Sequence, residues 1–589
     1  MAAIEGPVAA PLKLLRDRRS LGEGMQGRTN RLLVRHFLAQ FVENDFSPEI
    51  DRHQVLALAA AALITLPLFV TMFMGVKYLM RPLQAPGWTA TTAAGDAMAF
   101  CAASMLVSAI LATLEWEALA LTPRDSFILG VLPIPRREIV RAKLAALVTF
   151  AAAFVIALNA LPTLLHPALM VANLPLNVLM LLPLMSAHAL STIMAGTLGF
   201  AAVVAIREGL FLALGSNRFR RIGGLTRSAL LLLLLVLLAL VPIRLSGNAD
   251  WMFASTGAPV LLRPVGWFAA TDAVITGRVL DHVADRDLPD WMSVEELELR
   301  RLYWGSLPAL TRQAALGALV LGLTLGVSFV LFLWNARRLH VLPEGRRAPT
   351  LLPRWRVSGR VPILPRPAKR AGLLFFIKTL FGNAVHRLYL IASFAAAVAL
   401  LVAMAPSPNE SGGALLDTGE LALQTLILAV LIAGLRACLH TSADEQASWV
   451  VNVADTGTRR DFRDGVRLGV LGAIVITVVV LMPVHAAAWG WPLALTHALN
   501  GALAGWLLAE AACETVEEPL IATIPPNDGL NTMGVVFLGA IVILVFVLAR
   551  IERVSLTTTA GRVLFPSVML LLAVVARQMN RRSAVNAGS

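Results

Sequence analysis

The residues of this chain with chemical potential are mostly those set inside oily sequence. Asn159, His188, His485, His497, Asn500 and Glu510 fall within or at the edge of long apolar runs. An ionisable or amide side chain in such a place marks a substrate path or a proton relay. A hydrogen bond to a neighbouring helix is the alternative. His188 has Ser186, Ser191 and Thr192 close by in sequence, which makes a polar seam. Glu510 stands near a helix end, where a side chain reaches the headgroups at little cost. Asp281, His282, Asp285 and Asp287 invite a metal reading, but their spacing matches neither a calcium loop nor a zinc helix, so a solvated loop is expected and no metal site.

Other chemistry is excluded by what is missing. The five lysines, Lys13, Lys77, Lys143, Lys369 and Lys378, include none in a G-x-x-x-x-G-K-[ST] phosphate cradle, so the chain has no such ATPase site of its own. There is no H-E-x-x-H zinc helix and no G-x-S-x-G elbow. Cys101, Cys438 and Cys513 lie in or beside apolar runs and build no disulfide framework.

The elements that must position these residues are membrane helices. The 589 residues are 57% hydrophobic with a mean hydropathy of +0.72, and only 15% are charged, against about 25% in soluble domains. Apolar blocks such as 228–243 and 538–549 approach the roughly 18–20 residues that a hydrocarbon core demands of a helix. The pattern predicts an all-α polytopic transmembrane bundle of twelve spans: 55–76, 97–118, 142–162, 176–206, 228–245, 313–335, 388–405, 421–437, 468–489, 493–512, 532–550 and 561–577. The fourth is long enough to be tilted or broken near Pro183.

Charge orients the bundle. Loops 122–141 and 207–227 are basic, and 336–387 carries most of the net charge of +13; basic loops stay cytoplasmic. Loop 406–420 holds Glu410, Asp417 and Glu420 and no base. Both termini are therefore expected in the cytoplasm, with Arg550, Arg553 and Arg562 as a mild violation. No nucleic-acid recognition motif accompanies the charge.

The expected organisation is 1–54, a cytoplasmic N-terminal segment; 55–335, a first six-span half with a large outside loop at 246–312; 336–387, a basic, proline-rich extended linker; 388–577, a second six-span half; and 578–589, a basic tail. Within 31–44, Leu33, Phe37, Leu38 and Phe41 recur at helical spacing. This predicts an amphipathic helix in the headgroup plane, a pattern shared by a helix packed on protein.

The stretch 121–143 is too charged to cross a bilayer and too apolar for a plain loop. Pro123 and the Pro133–Pro135 pair bracket RDSFILGVL, about two helical turns with an apolar face, a form suited to docking. With Glu115 and Glu117 before it, the run EWEALALTPRDSFILGVLPIPRREIVRAK (115–143) resembles the permeases of type-2 ABC exporters. In that family the loop contacts the nucleotide-binding subunit. The resemblance implies a bacterial inner-membrane permease working with a separate ATPase, which binds the ATP and magnesium, while this chain carries no cofactor. The coupling residues it implies are Arg124, Asp125, Phe127, Leu129, Leu132, Pro133, Pro135, Arg136 and Arg137. The equivalent loop of the second half, 443–467, offers Trp449, Arg459 and Arg460, with Asp455-Thr456-Gly457 in place of the proline pair. Two other classes remain open on residues alone: a membrane enzyme acting on lipid-linked substrates with its site in 246–312, and a secondary transporter.

Overall fold

A computed structural model describes residues 29–41, 88–121, 134–173, 178–245, 263–281, 290–338, 366–403, 418–440, 459–513 and 532–586, with isolated positions between 67 and 76 and between 125 and 132. The fold is all-α. Its helices are α1 (29–40), α2 (Trp88–Leu114), α3 (Arg136–Asn173), α4 (Leu181–Leu245), α5 (Arg263–Asp281), α6 (Asp290–Arg338), α7 (Pro367–Gly382), α8 (Ala384–Ala403), α9 (Thr418–His440), α10 (Arg459–Trp489), α11 (Trp491–Cys513), α12 (Thr532–Leu556) and α13 (Thr559–Asn586).

Eight segments are long and apolar enough to cross a membrane: Thr92–Leu114, Arg136–Leu169, Leu181–Ser216, Ile222–Val241, Gly305–Arg337, Glu420–Leu439, Asp461–Trp489 and Thr559–Asn580; α7 and α8, bent by 80°, make a ninth if taken as one broken span. The exposed face of α6 carries Leu316, Leu319, Leu323, Val327 and Val330. Such an open apolar stripe suits lipid and not water. This is a multi-pass membrane protein. Most of 55–76 lies outside the described residues. The expected spans 493–512 and 532–550 are helical, as α11 and α12, but are not among the eight.

The chain forms two compact units, Met1–Pro349 and Thr350–Ser589, the division falling inside the segment 336–387. Part of that segment is helix rather than extended linker, since α7 begins at Pro367, with proline in the first turn where its missing N–H costs nothing.

In unit 1, small residues let helices approach. Ala93, Ala94, Met98, Ala99 and Cys101 of α2 pack with Ala195 and Leu198 of α4, and with Phe268, Ala269 and Ala273 of α5. The segment 246–312 is thus no simple outside loop: α5 is built into the core, and α6 begins at Asp290. Nor is 207–227 a loop. Helix runs through it, interrupted at Gly215, whose φ of 69° is left-handed and open to glycine without a Cβ penalty. The two arms of α4 on either side supply two of the eight spans.

Helix α1 turns part of its apolar face onto protein: Leu33 and Phe37 pack with Leu121, Leu129, Ala142 and Ala146. In unit 2, Phe376 and Leu380 of α7 join Leu428, Ile432 and Leu435 of α9, Val466, Val470 and Ile474 of α10, and Ala498 of α11.

Candidate functional site

Two short stretches, one in each unit, read alike: His188-Ala-Leu-Ser-Thr-Ile-Met-Ala-Gly196 and His497-Ala-Leu-Asn-Gly-Ala-Leu-Ala-Gly505. Each opens one helix, α4 or α11, and places its histidine about two turns from the start. Each histidine faces a carboxylate from a later helix and a second histidine from the preceding one.

In unit 2, His497 Nδ1 lies 2.9 Å from Oε1 of Glu552 on α12, and Asn500 Nδ2 donates to the same oxygen at 2.7 Å. The His485 ring, from the end of α10, meets the His497 ring edge-on at 4.8 Å between centroids and stacks on Trp489 at 5.1 Å. Gln424 of α9 crosses beside them and donates to the His497 carbonyl at 3.1 Å. It can do so because residue 501 is glycine; a Cβ there would collide with the Gln424 amide. Trp489 Nε1 donates to Glu420 Oε2 at 3.3 Å. All five of Gln424, His485, His497, Asn500 and Glu552 are buried.

In unit 1, His188 Nδ1 lies 3.4 Å from Oδ2 of Asp272 on α5, and Thr276 Oγ1 donates to Asp272 Oδ1, also at 3.4 Å. The His166 ring, from the end of α3, is 4.8 Å from that of His188, and Phe100 meets both edge-on. Asn159 belongs to a neighbouring layer: its Nδ2 donates to Ser104 Oγ and to the Val155 carbonyl, both at 2.8 Å, and Ser104 passes the chain on to the Thr192 carbonyl.

Each unit also holds a carboxylate–asparagine tie further along the same helix. Asn335 of α6 donates to both the carbonyl (2.8 Å) and Oε2 (2.7 Å) of Glu208 on α4. Asn580 of α13 donates to both the carbonyl (3.0 Å) and Oε2 (3.2 Å) of Glu510 on α11. Glu510 therefore does not reach for headgroups; Asn580, Trp506 and, at 3.9 Å, Arg467 surround it. Glu208 has Arg207 at 2.5 Å, which also donates to the Trp116 carbonyl at 2.6 Å.

The expected pathway residues His188, His485, His497 and Asn500 thus assemble into the two clusters, and Asn159 lies beside one. His166, Asp272 and Glu552 are added by the fold, since all three lie outside the expected spans. The recurring H-A-L-x-x-x-x-A-G is the sequence signal that leads to them. Among the described residues no group of three or more His, Cys, Asp or Glu is arranged to hold a metal ion; His282, Asp285 and Asp287 lie outside those residues.

The expected coupling residues are only partly described. Arg124, Phe127, Pro133 and Trp449 lie outside the described residues, and Arg459 and Arg460 begin α10. Asp125 is buried and accepts a hydrogen bond from Gln40 Nε2 at 2.6 Å; Gln40 Oε1 accepts one from the buried ammonium of Lys143 at 2.8 Å. The same ammonium sits over the rings of Phe37 and Phe41. Leu129 is buried in the same cluster, Leu132 and Pro135 are exposed, and Arg136 donates to the Ala336 carbonyl while Arg137 faces outward. No family model, curated protein or solved structure matches the chain.

Proposed function

We propose that this chain is the membrane permease of an ATP-driven exporter, worked by a separate ATPase subunit that docks on the segment 121–143. One observation carries the reading: the segment is braced behind and apolar in front. Behind it, Asp125 and Leu129 are held against α1 through Gln40, Lys143, Leu33 and Phe37. In front, Ile128, Val131 and Leu132 are 50%, 79% and 45% exposed. An element held at Asp125 and Leu129, with apolar side chains outward at 128, 131 and 132, can pass on a push from a partner to the span that starts at Arg136.

The like-sequence segments at His188 and His497 and the two Glu–Asn ties support a duplicated unit, so that one chain supplies both halves of a transport path. In this reading there are twelve spans, six per unit, in a bacterial inner membrane with both termini cytoplasmic; ATP and magnesium belong to the partner. The substrate class is left open.

The test is purification of the full chain in mild detergent, with and without a Val131→Glu, Leu132→Glu double change. The reading expects a P-loop ATPase to accompany the wild-type chain and to be lost from the variant. An ATPase absent from the first preparation, or retained in the second, overturns it.

A further inference from the structure

The cluster around His497 is built around polar atoms that lack partners. His497 Nε2, His485 Nδ1, Gln424 Oε1 and Asn500 Oδ1 are all buried without a hydrogen-bond partner among the described residues. Leaving such a group unsatisfied costs about 1–3 kcal/mol each, and these four belong to residues that touch one another or Glu552 around the His497 ring. Two are amide oxygens, which only accept. Two are ring nitrogens, which accept until they are protonated.

The charge pattern points the same way. Glu552 lies in the bundle interior, where a carboxylate is best matched by a positive charge facing it. One proton on the imidazole turns His497–Glu552 into an ion pair with no net charge. Unit 1 repeats the arrangement with His188 and Asp272, where His188 Nε2 likewise lacks a partner among the described residues.

We propose that His497 and Glu552 form a proton-binding site, with His485 as the adjoining imidazole through which the proton passes, and that His188 and Asp272 with His166 form its counterpart in unit 1. The ligand is the proton itself: a hydronium gives up H⁺, an N–H bond forms on the imidazole, and water departs with no change of oxidation state. The site lies beside the junction at which α10 ends and α11 begins, at Trp489, Gly490 and Trp491.

The titratable and charged groups facing the site are few. From α10 comes His485, from α12 Glu552, and from α9 Glu420, which reaches it through Trp489. Next to Glu552 in sequence is Arg553, and Arg562 at the start of α13 turns away to donate to the Leu556 carbonyl. In unit 1 the facing groups are Asp272 from α5, His166 from α3, and Cys101 from α2, with Asp96 buried about one turn earlier on α2. The inference does not depend on the ATPase: a proton site serves an ATP-driven or a gradient-driven carrier alike.

Trp489 is a built-in reporter, since it stacks on His485 and meets His497 edge-on at 5.4 Å. A protonated imidazole beside an indole quenches its emission. The full chain in detergent is titrated from about pH 9 to about pH 4, and the Trp489 component is taken as wild type minus Trp489→Phe. The expected result is a loss of at least half of that component on acidification, abolished in His497→Gln and displaced in midpoint in Glu552→Gln. A flat titration, or one unchanged by both substitutions, overturns the proposal and leaves buried water only. Because a core substitution can prevent folding, the unmodified chain labelled with ¹⁵N-histidine in lipid supplies the second measurement. A histidine protected from exchange must pass from neutral to imidazolium over the same range; protected histidines that all stay neutral overturn the proposal. Neither measurement needs an ATPase, so an absent ATPase and a failed proton site are separate outcomes.

Discussion

In unit 2 the His497–Glu552 contact is 2.9 Å and Asn500 adds a second bond to the same carboxylate oxygen; in unit 1 the His188–Asp272 contact is 3.4 Å and the residue matching Asn500 is Ser191. Ser191 turns back to the His188 carbonyl at 2.9 Å and toward Cys101 of α2, not to Asp272. Aspartate is one methylene shorter than glutamate, and serine is shorter than asparagine, so two small truncations loosen the same design. Phe100 fills part of the space with its ring against both imidazoles. A cluster's layout survives such changes while its coupling strength does not, because hydrogen-bond energy falls steeply with distance and angle.

The comparison breaks first at the carboxylates. Glu552→Ala strands two buried donors, His497 Nδ1 and Asn500 Nδ2, and is expected to cost about 3 kcal/mol. Asp272→Ala removes only long contacts and is expected to cost about 1 kcal/mol. Heating the two variants in detergent and following the loss of monodisperse chain gives the order, and equal losses would remove the distinction drawn between tight and loose clusters.

A second contrast runs the other way, at the Glu–Asn ties. Arg207 is 7% exposed and 2.5 Å from Glu208, whereas Arg467 is 21% exposed and 3.9 Å from Glu510. Arg207→Leu is expected to destabilise unit 1 by about 2–4 kcal/mol, and Arg467→Leu to destabilise unit 2 by less than about 1 kcal/mol. The same heating assay reads both. As the smallest effect, Arg366→Ala removes a pair with Asp461 whose arginine is 71% exposed, and a change within about 0.5 kcal/mol is expected. A larger shift there would mean that α7 is anchored by charge and not by Phe376 and Leu380.

Hydropathy located the spans well because lipid demands one thing of a helix, and eight of the twelve expected segments coincide with long apolar helices. It misplaced what is buried in protein. Helix α5 is rich in alanine, threonine and glycine, so it reads as too polar to be a span, yet Ala269, Ala270 and Ala273 are the residues that let it enter the core. Helix α3 runs through Pro162 and Pro167 to Asn173, which carries His166 beyond the point where the apolar run fades. Helix α12 continues to Leu556, six residues past the expected end, and brings in Glu552. The charged residues Arg550 and Arg553 made that continuation illegible, because side chains on one face of a helix are indistinguishable from the start of a loop until the partners of the other face are known. Likewise the apolar face of α1 fits a lipid surface or a protein one equally, and only the position of Leu121, Leu129 and Ala142 shows that part of it lies on protein.

Asn335 and Asn580 each grip two points of one helix, a main-chain oxygen and a side-chain carboxylate one residue wide. Such a two-point clasp fixes both height and rotation: a slide of about 5.4 Å, one helical turn, breaks both bonds at once. Within unit 1, α4 and α6 therefore travel together at that level, and within unit 2, α11 and α13 do. The joint of each pair is therefore set at one level, where a single asparagine answers two atoms of a single glutamate.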